Sequence, residues 1–206
     1  MTDVRTRGRH APARLQSVAL ASISPRRRFL LETLGLDVVI VASSYDEQQP
    51  AGERIDPVEL VQTHAVGKAL AAAPHGPPVL VAADTIVALD GEMLGKPRDV
   101  NAARAMLARL SGRTHTVHTG FAVIDRRTQR RETGVESARV TFLPMSDDEI
   151  ARYVATGEPL DKAGAYGIQG RGALFVASIA GDFYTVMGLP LARLGRAFAS
   201  LGYELL

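Results

Sequence analysis

An α/β domain is the fold class this sequence predicts, and three observations predict it. β-rich apolar runs alternate with segments that carry helix caps and an apolar face. The 206 residues suit one domain or a compact two-lobed unit. No internal repeat and no linker cuts the chain in two.

Ordered sequence is expected to begin at Ser17, where SVALAS (17–22) reads as a short buried strand. Ser24-Pro25 reads as an N-cap with proline at the first helical position, and Phe29, Leu30, Leu31 and Leu34 supply an apolar face that Gly35 ends. DVVIVAS (37–43) predicts a second strand, and 44–55 a polar loop. Asp56-Pro57-x-Glu59 has the spacing of a capping box and opens a helix to about Ala73. VLVAADTIVAL (79–89) is a strand ended by the Asp90-Gly91 turn. Asp99 begins a helix to Leu110, closed by Gly112. THTVHTGFAVID (114–125) alternates as a strand and pairs with 136–144 across a charged turn. Ser146-x-x-Glu149 is another capping box, before a helix ending near Gly157. A glycine-rich stretch, 161–172, precedes strands at ALFVASI and DFYTV, and Pro190 opens a last helix to about Leu201.

Composition narrows the function. The absence of cysteine excludes disulfides, cysteine nucleophiles and cysteine-ligated metal sites. No apolar run reaches the length of about 20 residues that a membrane helix needs, and no signal-peptide hydrophobic region is seen, so a cytoplasmic protein is expected. The pI of 9.1 suggests nucleic acid, but residues 1–16 hold four arginines against Asp3, a net of +3, leaving 20 basic and 21 acidic residues elsewhere. The basicity belongs to an N-terminal extension (1–16) expected to be disordered, and no nucleic-acid partner is expected of the domain at 17–206. Of the 24 basic residues only Lys68, Lys96 and Lys162 are lysine, which suggests positions where a compact ammonium matters; compositional drift explains the same split.

Four segments could carry chemistry. Ser22-Ile-Ser24-Pro25-Arg26-Arg27 stands at a strand-to-helix junction, where unpaired N–H groups and the helix dipole favour anions; the alternative is a capped helix with solvated arginines. Asp84, followed by Thr85, interrupts the most apolar strand, a costly place for a carboxylate unless it is paired, binds a cation or accepts a proton; it could instead cap a strand end. Asp161-Lys162 opens a run of glycines that lets backbone approach a ligand, and the Gln169 amide could read a base edge; a tight loop with one ion pair is the alternative. Lys96 is held by Pro97 on a stiffened segment, and Asp46 and Glu47 form an acidic pair within reach of a metal. The five histidines show no tight ligand spacing, and no serine lies in a GxSxG context. Together these residues suit metal-assisted attack of water on a phosphoanhydride.

Five blocks taken together, LASISPRRRFLLETLG (20–35), AADTIVALDGEMLGKPRD (82–99), LSGRTHTVHTG (110–120), GEPLDKAGAYGIQG (157–170) and GLPL (188–191), resemble the Maf family of nucleoside triphosphate pyrophosphatases over about residues 17–206. The resemblance implies an elongated mixed β-sheet flanked by helices, with two lobes around a central cleft, similar to the inosine triphosphatases. It implies hydrolysis of a nucleoside triphosphate to the monophosphate and pyrophosphate with a divalent metal cation, Mg²⁺ or Mn²⁺. By matching position, Asp84 is the proton acceptor, and Arg26, Thr85 and Gln169 govern substrate choice. Ser24, Arg27, Lys68, Lys96 and Lys162 bind phosphate, and Glu47, Asp84 and Asp161 hold the metal. The ADT and AYGIQG forms resemble the branch acting on dTTP and UTP, with modified pyrimidine nucleotides within the same expectation. Ile23 departs from the small or polar residue commoner in the family. The resemblance also implies a homodimer, and the family's link to septum formation supplies a non-enzymatic alternative, a nucleotide-sensing regulator of cell division.

Overall fold

A computed structural model describes residues 13–47 and 55–206. Its first half holds β1 (Ala13–Arg14), β2 (Ser17–Leu20), α1 (Pro25–Thr33), β3 (Asp37–Ile40), α2 (Pro57–Leu70), β4 (Val79–Leu89), β5 (Glu92–Leu94) and α3 (Val100–Leu110). Then come β6 (Thr114–Asp125), β7 (Arg130–Phe142), α4 (Asp147–Ala155), 3-10 turns at Glu158–Asp161, Ala163–Ala165 and Arg171–Phe175, β8 (Val176–Ala180), α5 (Phe183–Met187), α6 (Leu191–Leu201) and β9 (Tyr203–Glu204). Seven strands form one mixed sheet in the order β3-β2-β4-β6-β7-β8, with β5 also paired to β4. β3 and β4 run parallel to β2, whereas β4, β6, β7 and β8 pair antiparallel in succession. The α/β class, with a mixed sheet flanked by helices, is therefore as the sequence predicts.

The alternation of β4 organises both layers. Val79, Val81, Ala83, Val87 and Leu89 point into the main core, shared with Leu30 and Leu31 of α1, Leu107 of α3, Val154 of α4 and Phe198 of α6. Leu80, Ala82 and Ile86 point to the opposite face, which α2 covers with Val61, Ala65 and Ala69. A strand buried on both faces needs a near-continuous apolar run, which residues 79–89 supply apart from Asp84 and Thr85. Helix α2 lies unusually close to β6: a Cβ on Gly120 would stand 2.4 Å from the Val61 carbonyl oxygen.

Several expectations need correction. Ordered chain begins before Ser17, because Ala13 and Arg14 pair in parallel with Tyr203 and Glu204; residues 1–12 of the expected extension lie outside the described residues, as do 48–54 of the polar loop. DFYTV is helix α5 rather than a strand: the Asp182 carboxylate accepts from the Tyr184 and Thr185 amides, and Gly188 ends the helix at φ 110°. That cap overrides the β preference of Phe-Tyr-Thr-Val. ALFVASI shortens to β8 because Arg171–Phe175 closes as a 3-10 turn. The hairpin partner of β6 begins at Arg130 rather than 136, so the charged turn is only four residues, 126–129. The Asp56 carboxylate caps the Val58 amide at 2.7 Å without a capping box, whereas Ser146 and Glu149 form one.

A buried aromatic cluster links β6 to the glycine-rich segment. His115 is 2% exposed, its Nε2 lies 2.8 Å from the Tyr166 hydroxyl, and its ring meets Phe142 and Tyr166 edge-on. Among the described residues its Nδ1 has no hydrogen-bond partner, and burial lowers the imidazole to about 4. A histidine that resists protonation when folded contributes stability that is complete above its unfolded value of about 6.5 and is lost as pH falls towards 4. Denaturation curves of the wild type and His115→Gln between about pH 7 and pH 4 should diverge by roughly 3 kcal/mol, the wild type losing more; parallel curves would clear His115 of this role. Separately, Gly120→Ala should cost about 1–3 kcal/mol in urea unfolding, because the new methyl meets backbone that cannot rotate away.

Candidate active site

A gap in the sheet creates the site. β2 pairs with β4 as far as Leu20 opposite Val81, and β5 pairs with it only from Val87. Between them β4 has no strand neighbour on that side among the described residues, and the chain leaving β2 turns into Ser22–Arg27 instead. Such openings beyond the carboxyl ends of parallel strands are where α/β sheets bind ligands. Here the opening is a cleft of about 750 Å³, of a size for a small-molecule ligand.

Asp84 sits in this gap on the α2 face of β4. Its Oδ1 accepts from Lys68 Nζ at 2.7 Å, and its Oδ2 lies 3.0 Å from His64 Nδ1. Burial alone would raise this carboxyl, but the hydrogen bond from His64 and the charges of Lys68 and Arg27 outweigh it and hold it at about 2. Asp84 is therefore an anion throughout the physiological range. Lys68 also meets Glu47 Oε1 at 2.8 Å, so one ammonium bridges two carboxylates. Among the described residues, Glu47, His64 and Asp84 are the group whose ligand atoms converge, all within 4.8 Å of one another, as a divalent cation would require. Two carboxylates and an imidazole suit such an ion.

Thr85 points the other way, as alternation demands. Its hydroxyl accepts from Arg27 at 3.0 Å and lies 2.9 Å from the Thr119 hydroxyl, directly opposite on β6. Thr119 in turn donates to the Thr185 carbonyl of α5 at 2.8 Å. The Arg27 fork also donates to the Gly188 carbonyl at 2.9 Å and the Ser22 hydroxyl at 3.1 Å, tying the segments after β2 and α5 to β4. Burial lowers the Arg27 guanidinium from its ordinary value and Asp84 opposes the change. Ser24 occupies the N-cap of α1 but makes no capping bond with its side chain, so the hydroxyl is not spent on the helix.

The glycine-rich segment is shaped by one carboxylate that the sequence did not single out. Glu158 accepts from the Arg171 amide at 3.0 Å, the Gly172 amide at 3.1 Å and the Tyr153 hydroxyl at 2.9 Å. A Cβ on Gly170 would fall 2.6 Å from that carboxylate, so glycine is required by close approach. Burial works to raise Glu158, and the two amide bonds more than offset it, leaving it lowered. The wrapped loop delivers Lys162, whose ammonium donates to the Glu158 carbonyl at 2.7 Å and pairs with Asp161.

Ten of the residues singled out from sequence line this cleft: Ser24, Arg26, Arg27, Glu47, Lys68, Asp84, Thr85, Lys96, Asp161 and Lys162. Gln169 does not; it is exposed, and its neighbour Ile168 lines the cleft instead. Asp161 lies in the cleft but outside the converging group, its charge answered by Lys162 and Arg26. His64 was missed, since nothing in a helical histidine's spacing announces its partner; its position four residues before Lys68 was the available signal. Val117, Ile168, Val186 and Met187 give the cleft an apolar wall.

Comparison with known proteins identifies the family. The family model described as Maf-like protein matches residues 17–201. A dTTP/UTP pyrophosphatase of Dictyoglomus turgidum is 45% identical over 93% of this chain and 99% of its own. Those of Moorella thermoacetica and Bacillus velezensis are 48% and 49% identical, over 92% and 86% of this chain and 97% and 93% of theirs. Among solved structures, the Ham1 protein of Staphylococcus aureus is a distant likeness, with a TM-score of 0.42 at 17% identity, covering 76% of this chain and 90% of that one. With a family model spanning nearly all of the described fold and relatives close to half identical end to end, the chain belongs to the Maf-like protein family.

Proposed function

We propose that this chain hydrolyses dTTP and UTP, and related pyrimidine nucleoside triphosphates, to the monophosphate and pyrophosphate. The observation that carries the reading is an ionised, buried Asp84 paired with Lys68 and His64 at the sheet gap, across from the cationic start of α1. The activity borne by the three relatives supports the choice of substrate.

The reaction cleaves the α–β anhydride. A water oxygen bonds to the α-phosphorus, the bridging oxygen leaves with pyrophosphate, and one proton passes to a base. Asp84 is placed to aim that water and to receive its proton. A carboxylate held near 2 is a weak base, so orienting water is its larger contribution. Glu47, Asp84 and His64 are the residues that would hold Mg²⁺ or Mn²⁺, with His64 also fixing the Asp84 carboxylate. Such an ion, when bound, neutralises the charge that develops on the phosphates. Ser24, Arg26, Lys96 and Lys162 are assigned to the phosphate chain, since all four line the cleft. Asp161 is assigned to orienting Lys162. Thr85 bears on substrate choice by placing Arg27, since its hydroxyl is already engaged.

The deciding experiment is pyrophosphate release from each nucleoside triphosphate with Mg²⁺ or Mn²⁺. Release is expected to be fastest from dTTP and UTP; release from another nucleotide but from neither of these would overturn the substrate assignment. Asp84→Asn should lower kcat by about 10²–10⁴-fold, and near-normal turnover would remove Asp84 from the chemistry. Lys68→Arg should cost about tenfold or more in kcat/KM although charge is kept, because a planar fork cannot take the place of a point charge between two carboxylates. Smaller losses are expected for Lys96→Arg and Lys162→Arg, and three silent replacements would reduce the scarcity of lysine to compositional drift.

A further inference from the structure

His64, Gly67 and Lys68 occupy one stripe of α2, at spacings of three and four residues that share a helix face. The outer two reach Asp84. The middle one is glycine, a poor helix former in a helix interior, so its presence there calls for a reason. Tyr45 supplies it. A Cβ on Gly67 would fall 2.1 Å from Tyr45 Cε2 and 2.5 Å from Cδ2 and Cζ, so the phenol ring lies directly on the glycine. The same ring meets His64 edge-on, with centroids 5.8 Å apart.

The segment before Tyr45 is laced to the end of α2. The Ala73 amide donates to the Ala42 carbonyl at 2.8 Å, Ser43 bridges to Ala72, and the Ser43 hydroxyl donates to the Lys68 carbonyl at 2.9 Å. Two residues beyond Tyr45, Glu47 reaches Lys68 although its side chain is 58% exposed. Its position among the converging ligand atoms thus follows from where Tyr45 is seated.

We infer that Tyr45, seated on Gly67, is the positioning residue that brings Glu47 to the cation group, so that the missing side chain at 67 sets affinity for a divalent ion. The inference rests on the reading of Glu47, His64 and Asp84 as a cation site. It predicts an unusual pairing of effects. Gly67→Ala favours the helix yet pushes Tyr45, and Glu47 with it, out of place. Titration calorimetry of the nucleotide-free full chain with Mn²⁺ is expected to show about tenfold weaker binding for Gly67→Ala, the scale on which groups that orient metal ligands act. The thermal midpoint without metal should stay level or rise. Tyr45→Ala, which leaves the helix untouched, should weaken Mn²⁺ binding similarly, and Tyr45→Phe should bind as the wild type does. Wild-type binding retained in both Gly67→Ala and Tyr45→Ala would overturn the positioning role while leaving the cation site standing. A wild type that takes up no Mn²⁺, or takes it up unchanged by Glu47→Gln, would overturn the cation site and this inference with it.

Discussion

The ion pair between Asp84 and Lys68 is the constraint around which the rest of the site is arranged. The neighbours of Asp84 on the same face of β4 include Leu80, Ala82 and Ile86, and a carboxylate among them loses its hydration on folding. Two ligand-bearing positions on α2 restore what water would have given, one through a full charge and one through a hydrogen bond. Buried pairs of this kind seldom add net stability, and an apolar residue of similar volume often serves a fold as well or better. An ionised group kept there at that cost is therefore explained by chemistry rather than by packing. Because both groups that hydrogen-bond Asp84 come from α2, the helix must lie close to the sheet, and the bare Gly120 opposite Asp84 is what lets it.

The sheet's connectivity then decides what Asp84 can meet. β2 ends early and β5 begins late, so the middle of β4 borders a cleft instead of another strand. The segments that leave β2 and β3 at their carboxyl ends bring Ser24, Arg26, Arg27 and Glu47 to that opening, and Glu158 folds the glycine-rich segment, whose Lys162 also lines the cleft. Alternation along β4 gives adjacent residues different work: Asp84 belongs to the α2 side, whereas Thr85 belongs to the hydroxyl relay that joins Arg27, Thr119 and α5.

How much of this could be read from sequence depended on how local the cause was. β4 and β6 were legible to the residue, since a long β-rich run ended by a turn has few competing readings. The Ser146 capping box was legible for the same reason: both partners lie within four residues. β1 was not, because its only partner is the far end of the chain and a two-residue strand carries no pattern. Helix α5 was lost to the β preference of its residues, which one capping aspartate overrode. At the site, ten residues were legible through motif and resemblance, but His64 and Glu158 act through partners that only the fold supplies. Gln169 shows the converse: its amide chemistry suggested recognition, and the direction of a loop rich in glycine is not written in its composition.

The uneven use of lysine and arginine acquires a physical meaning in this setting. Arginine is used where a rigid fork braces structure: Arg27 on Ser22, Thr85 and Gly188, Arg126 on the Ala73 and His75 carbonyls, Arg193 against Glu136. A guanidinium held by several acceptors in fixed directions is a scaffold and has little freedom left to follow a substrate. All three lysines, by contrast, line the cleft. Lys68 touches its two carboxylates through a single atom, and an ammonium can exchange such partners by rotating about its stem, with no planar group to realign. That mobility matters most where a charge that compensates Asp84 has to share it with phosphates and a cation. The division of labour between fork and point charge follows from the site's two demands, a frame that stays fixed and positive charge that can be handed over.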